Sequence, residues 1–199
     1  ACSLMGTANT MQILMEGLGL ALPGSSTVPA VYAEKERYAT QTGRRIVDLV
    51  KENIKPKDIL TRDALLNGVI LTMALGGSTN AVLHLLSFAR EVGAELTLDD
   101  FDRLSDAIPV ISRVIPTGRA TIVDLYNAGG VPAVMGELKD YLHKECLTVC
   151  GHTVGEIAER CRSSDHSVIT TAAEPVFPNG GIAVIRGNLA PNGAICRTT

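Results

Sequence analysis

The stretch 61-TRDALLNGVILTMALGGSTNAVLHLLSFAREVG-93 decides how this chain folds. From Ala64 to Leu75 it is apolar, broken only by Asn67, Gly68 and Thr72. That run is too short to span a bilayer and reads as a buried helix. Thr61 starts it, and Gly76 and Gly77 follow its end. Val82, Leu85, Leu86 and Ala89 then fall on one face of a second helix, which Gly93 closes.

Upstream, Met11, Leu14, Met15, Leu18 and Leu22 recur at helical spacing behind Thr7, a cap candidate. Gly19, Pro23 and Gly24 end that helix, and PGSSTVP (23–29) is a loop. Pro29 is expected to open a longer helix, polar from Glu34 to Arg45, with Ile46, Leu49 and Val50 as an apolar stripe and Pro56 as its stop. Downstream, Thr97 to Asp100 has the form of a capping box, and Pro109 ends the short helix it begins. Beyond residue 142 the texture changes. CLTVCG, SVITT, GGIAVIRGN and GAICRTT are short β-type runs between Gly, Pro and Asn, interrupted by one helix with a capping box at Thr153 to Glu156. The expected fold class is α/β, with a mainly helical part over 1–142 and the start of a β-rich part over 143–199. No internal repeat or low-complexity segment appears.

The 199 residues are 46% hydrophobic and 20% charged, a globular profile with enough apolar material for a core. The net charge of −3 gives no bulk attraction to nucleic acid or to an anionic membrane, and 4% aromatics without Trp leave little for base stacking. Neither nucleic acid nor a membrane is therefore expected as a partner. Five cysteines, at 2, 146, 150, 161 and 196, are odd in number and unevenly spread, which fits a reducing compartment better than a disulfide framework. No secretory signal is visible. The absent initiator Met and the abrupt end at Thr199 suggest a fragment.

Three groups of residues could carry chemistry. Cys2 precedes a helix start, where unpaired backbone N–H groups and the positive end of the dipole favour a thiolate, a good ligand for iron or zinc. The bland alternative is an inert buried cysteine. GGSTN (76–80) has glycines that admit close approach and two hydroxyls, Ser78 and Thr79, at a helix start, a geometry suited to a carboxylate or phosphate. Taken by itself, the stretch is better explained as a tight turn with an ordinary cap. It is not a P-loop, since the glycine spacing and the lysine are absent. The third group is Cys146, Cys150, His152, Cys161 and His166, whose spacing approaches zinc-site patterns. If Leu147 to Val149 form a strand, however, the Cα atoms of Cys146 and Cys150 stand roughly 13 Å apart, too far for one tetrahedral ion. His84 lies off the apolar stripe of its helix, Asp99, Asp100 and Asp102 read as helix-start charges, and Arg44–Arg45 as a solvated face.

Seven strings, in order, carry more: ACSLMGTANTM, LGLALPGSSTVPA, ALGGSTNAVLHLL, LTLDDFDRLSDAIPVIS, DLYNAGGVPAVMGEL, CLTVCGHTVGEIAE and GGIAVIRGNLAPNGAI. Together they resemble the dihydroxy-acid dehydratase / phosphogluconate dehydratase family over essentially the whole chain. GNLAPNGA and the LTV-G-TV run are closer to the dihydroxy-acid branch.

The resemblance implies a hydro-lyase that turns a 2,3-dihydroxy carboxylic acid into a 2-keto acid, as in branched-chain amino acid biosynthesis. It implies an iron–sulfur cluster, two-iron or four-iron, as Lewis acid for the 3-hydroxyl, and Mg²⁺ to stabilise enolate-like charge. One cluster cysteine of the family stands in (A/S)C-x-x-M-x-TAN, which is Cys2 here. The other two, and Mg²⁺ ligands including an Asp and a carbamylated Lys, are expected upstream of residue 1, and the serine base downstream of Thr199. No catalytic residue is thus expected within the chain, and these residues alone should be inactive. Ser78 and Thr79 are the candidates for contact with the substrate. Residues 1–142 would be the helical end of the family's N-terminal cluster-binding domain, and 143–199 the beginning of its β-rich C-terminal domain.

A homodimer with the site between domains is expected, in the bacterial cytoplasm, or in a mitochondrion or plastid if the source is eukaryotic. Leu4 stands where a glycine is common and is expected to crowd the cluster. Cys150 and Cys196 depart from the family pattern and are not assigned to it. The competing readings are a sugar-acid dehydratase of the same family and a non-enzymatic, zinc-stabilised binding module.

Overall fold

The structure is a computed structural model that describes residues 2–199, so Ala1, the first residue of the opening motif, lies outside them. Helices α1 (Thr7–Gly17), α2 (Ala33–Glu52), α3 (Pro56–Ile59), α4 (Arg62–Ala74), α5 (Asn80–Val92), α6 (Leu98–Ala107), α7 (Ile122–Asn127), α8 (Gly130–Glu137) and α9 (Val154–Arg160) precede strands β1 (Ile182–Gly187) and β2 (Ala190–Arg197). The architecture is mixed: helices, with one small two-stranded antiparallel sheet among the described residues.

The deciding stretch folds as its sequence predicts. All of α4 from Ala64 to Ala74 is buried, and it packs against α1, α5 and α6. The Thr61 hydroxyl accepts from the Ala64 amide at 3.2 Å, capping the N-terminus. At the other end Gly76 takes φ +59°. The Gly77 amide reaches the Thr72 carbonyl at 2.9 Å and the Gly76 amide the Met73 carbonyl at 3.3 Å. This Schellman closure needs the left-handed backbone a glycine supplies. The capping boxes at Thr97–Asp100 and Thr153–Glu156 are both formed.

Five local expectations are corrected. The α1 N-cap is Gly6, not Thr7. Helix α2 starts at Ala33, because Pro29 to Tyr32 form a turn in which the Pro29 carbonyl accepts the Tyr32 amide. It ends at left-handed Asn53, and Pro56 opens α3 rather than stopping α2. In the expected stripe of α2 only Leu49 is buried, while Ile46 and Val50 are 55% and 74% exposed. Finally, CLTVCG and SVITT are not strands. The first turns back at Gly151 (φ +85°), leaving one bridge from Leu147 to Thr153, and the second makes one bridge, Ser112 to Ile169. The runs that do pair are GGIAVIRGN and GAICRTT, with Ile182 opposite Arg197 and Val184 opposite Ile195. Arg186 fastens this hairpin to α6 through Asp102 at 3.0 Å and through Asp99.

Candidate functional site

Residues 2–6 form a loop ahead of α1, fixed mainly by backbone groups. The Asn9 side-chain amide donates to the Cys2 carbonyl at 3.0 Å and the Leu4 carbonyl at 2.7 Å. The Met5 amide donates to the Ile115 carbonyl at 2.7 Å, and the Ile122 amide to the Ser3 carbonyl at 2.9 Å. Met5 is fully buried and anchors the loop in the core. The Cys2 thiol is free and exposed, its Sγ 3.7 Å from the Leu4 carbonyl. It contacts that carbonyl and makes no hydrogen bond with the amides of the α1 N-terminus, beside which the sequence places it. Leu4 is 41% exposed, turned outward rather than packed.

Cys2 lines a cavity of about 160 Å³ with Asn9, Gln12, Ser26, Thr27, Lys35 and an apolar wall of Val28, Pro29, Ala30, Ile122 and Val123. A second space of about 310 Å³ shares Gln12, Ser26 and Lys35 with it and runs on to Tyr38 and Thr42. The 23–29 loop that walls both is tied down by Glu16. That carboxylate, 3% exposed, accepts from the Gly24 amide at 2.5 Å, the Ser26 amide at 3.2 Å and the Ser26 hydroxyl. Burial pushes the Glu16 carboxyl up to about 7, although the Ser26 and Gly24 bonds and the charge of Lys35 pull the other way. Lys35 Nζ donates to the Ser25 carbonyl at 3.2 Å and the Tyr38 hydroxyl to that of Pro23 at 3.1 Å. Thr27 is 2% exposed, and its hydroxyl has no hydrogen-bond partner among the described residues.

The GGSTN turn lies against the first turn of α1. The Ser78 amide donates to the Thr10 hydroxyl at 3.1 Å, the Ser78 and Thr7 hydroxyls are 3.0 Å apart, and the Asn80 side-chain amide donates to Thr7 at 2.9 Å. Thr79 is the α5 N-cap by position but its hydroxyl makes no capping bond; the Ser78 hydroxyl accepts the Asn80 amide at 3.3 Å instead. The structure thus brings Ser78 to the helix that follows Cys2. The wall of the Cys2 cavity carries the hydroxyls of Ser26 and Thr27, not those of Ser78 and Thr79.

The residues after 145 are not gathered. Among the described residues no group of three or more His, Cys, Asp or Glu could hold a metal ion. Cys146 is buried, and burial pushes its thiol up to about 11. Arg45 is not a solvated charge: it pairs with Glu52 at 2.8 Å and donates to the Val149 carbonyl. His84 is exposed.

Sequence reading missed Asn9, Glu16, Lys35 and the Ser26–Thr27 wall. Glu16 did leave a signal, a lone acid in the apolar run from Met11 to Leu22 just ahead of PGSS. A carboxylate there has to find donors, and the nearest are the amides and hydroxyls of that loop.

An iron–sulfur cluster is held by cysteine thiolates free of disulfides. Cys2 fits as one such ligand: free, solvent-facing, on a pinned loop at a cavity. The other four cysteines complete no set with it among the described residues.

The family model described as "Dihydroxy-acid/6-phosphogluconate dehydratase N-terminal" matches residues 1–157. A curated protein named dihydroxy-acid dehydratase from Acetivibrio thermocellus is 50% identical over 199 residues, covering 99% of this chain and 36% of its own length. Proteins of the same name from Halothermothrix orenii and Pyrococcus furiosus are 48% and 45% identical, covering 99% and 100% of this chain and again 36% of their own lengths. The chain spans about a third of the length of these relatives. No helix is long and apolar enough to cross a membrane among the described residues.

Proposed function

The chain belongs to the dihydroxy-acid/6-phosphogluconate dehydratase family, and on that premise we propose that it serves, as part of a longer enzyme, a hydro-lyase acting on a small aliphatic 2,3-dihydroxy acid. The reaction removes the C2 proton and the C3 hydroxyl as water, and the resulting enol becomes a 2-keto acid. The observation that carries this reading is the cavity beside Cys2. One wall is polar, with Asn9, Gln12, Ser26, Thr27 and Lys35; the other is apolar, with Val28, Pro29, Ala30, Ile122 and Val123. A branched hydroxy acid has the same two faces, and a polyhydroxylated sugar acid does not.

Within this reading Cys2 is one thiolate ligand of an iron–sulfur cluster, and the remaining ligands and the Mg²⁺ site belong to parts of the enzyme outside these residues. When bound, the cluster supplies Lewis acidity toward the leaving hydroxyl and Mg²⁺ supplies positive charge for the enolate. The residues of this chain bind and orient. Asn9 fixes the carbonyls on either side of the Cys2 loop, Lys35 offers a cation to the substrate carboxylate, and the apolar wall excludes water from the alkyl end. Ser78 and Asn80 support the α1 start from behind.

Residues 1–142 are read as the end of the cluster-binding domain and 143–199 as the opening of the β-rich one. The enzyme is read as a cytoplasmic homodimer serving branched-chain amino acid synthesis. The test is to assay the full-length protein, purified without oxygen, for iron, acid-labile sulfide and 2-keto acid formation. Turnover of a branched five-carbon dihydroxy acid well above that of a sugar acid is expected. The reverse preference would favour the sugar-acid branch, and stoichiometric zinc without sulfide would overturn the reading.

A further inference from the structure

We propose that Arg197 is a positioning residue for the Cys2 loop, a role that rests on the reading of Cys2 as a cluster ligand. Arg197 stands at the end of β2 and reaches into two other segments. Its Nη2 donates to the Gly76 carbonyl, its Nη1 lies 3.5 Å from the Met5 carbonyl, and its Nε donates to the Thr199 hydroxyl at 3.3 Å. Met5 is the buried anchor three residues after Cys2, and Gly76 begins the turn that carries Ser78. One planar group therefore bridges the hairpin, the loop that bears the thiol and the turn behind it.

The joint is built tightly around this guanidinium. A Cβ on Gly76 would lie 2.7 Å from the Thr117 hydroxyl, 2.8 Å from the Thr199 hydroxyl and 3.6 Å from Arg197 Nη2. A Cβ on Gly181 would lie 2.6 Å from the Gly76 Cα. Both positions admit only glycine, so the backbones of turn and hairpin meet directly. The Gly181 amide bonds the Met73 carbonyl at 3.0 Å, and the Thr198 amide bonds the Gly181 carbonyl at 3.0 Å. These contacts hold the end of β2 in place and aim the Arg197 fork.

The charge is also informative. The partners of Arg197 among the described residues are carbonyls and a hydroxyl, none of them a carboxylate. Burial lowers its basicity. A half-buried cation without a counter-charge is costly for folding alone, where an apolar side chain would pack as well. Its hold on the Cys2 loop through the Met5 carbonyl gives that cost a purpose beyond packing. A fixed fork also aligns two carbonyls, which the flexible point charge of a lysine does not.

The experiment uses the full-length protein and two variants, Arg197→Met and Arg197→Lys, purified without oxygen. Iron and acid-labile sulfide per folded protein and the visible absorbance spectrum are read, together with the thermal midpoint and the split of KM and kcat. Arg197→Met is expected to fold, to lose cluster content or cluster lifetime in air by roughly tenfold, as removal of outer-shell support does, and to lower kcat more than it raises KM. Arg197→Lys is expected to fall between. Parent-like iron, sulfide and spectrum in Arg197→Met overturn the proposal, even if its thermal midpoint drops. Should Arg197→Met fail to fold, Arg197→Lys decides by the same readouts, and parent-like values there overturn it. An unmodified protein without iron and sulfide would instead bring down the cluster reading itself.

Discussion

Two cysteine-bearing regions of this molecule behave in opposite ways. Around Cys2 the chain is loop, yet each carbonyl near the thiol is spoken for by Asn9, Ile122 or a neighbouring amide, and the thiol itself faces solvent. Around Cys146 and Cys161 the thiols are drawn toward the interior, and burial raises both. Cys146 has the hydrophobic neighbours of an inert core residue. The difference teaches that spacing alone is a poor guide to thiol chemistry. The three-cysteine run approaches zinc-site spacing in sequence, but it lacks exposure and convergence, whereas the lone Cys2 has a pinned backbone and a cavity.

The largest expected effect is kinetic. Iodoacetamide at about pH 8 should alkylate Cys2 of the native, metal-free chain at least a hundredfold faster than Cys146. With its thiol near 11, Cys146 presents only about one thiolate in a thousand at that pH and is buried besides. Peptide mass mapping over time checks this; equal rates would dissolve the contrast between the two regions.

Next in size is Glu16, which stands between them. It ties down the loop beside the Cys2 cavity, and after burial and Arg162 its charge is a further influence on Cys161. Its carboxyl is raised in the folded state, so between about 4.5 and about 7 the native protein keeps a proton the unfolded chain has lost. Stability should therefore fall as pH rises through that window, by up to roughly 3 kcal/mol, and level off above it. Urea midpoints across this range should show the slope in the wild type and a flattened profile in Glu16→Gln. An unchanged slope in the variant would remove Glu16 as its source.

A smaller change is expected at Asn9. Asn9→Ala leaves the Cys2 carbonyl without its Asn9 donor and the Leu4 carbonyl with the Gly6 amide in place of two donors, and should cost about 1–3 kcal/mol. It should also speed proteolysis within residues 2–6 while leaving the Cys146 region as protected as before, which limited proteolysis with mass mapping can show.

How much of this was legible in the sequence depended on how local the cause was. Helix α4 was legible because an apolar run from Ala64 to Leu75 sits between a threonine cap and paired glycines, and nothing distant alters that. The boxes at Thr97 and Thr153 are equally local. The strands β1 and β2 were legible as β-type runs between Gly, Pro and Asn, while their pairing shows only in the structure. What failed were choices settled by distant partners. Ile46 and Val50 have helical spacing, but no element covers them among the described residues. SVITT has strand composition, yet its bonds to residues 111–113 close only one bridge, Ser112 to Ile169. At the site, Cys2 was legible through its motif, while Glu16 and Arg197 act on segments 8 to 192 residues away, and no spacing rule reports such contacts.

The most direct test of the central claim compares Cys2→Ser with Cys146→Ser in the full-length protein, purified without oxygen. Iron, acid-labile sulfide and visible absorbance are measured on the folded fraction. A serine oxygen is a poor substitute for a thiolate at iron–sulfur. Cys2→Ser should therefore be folded, colourless and slower by orders of magnitude, and Cys146→Ser should keep its cluster and lose only about 1–3 kcal/mol of stability. A folded Cys2→Ser protein with full iron content and near-normal turnover would contradict the account.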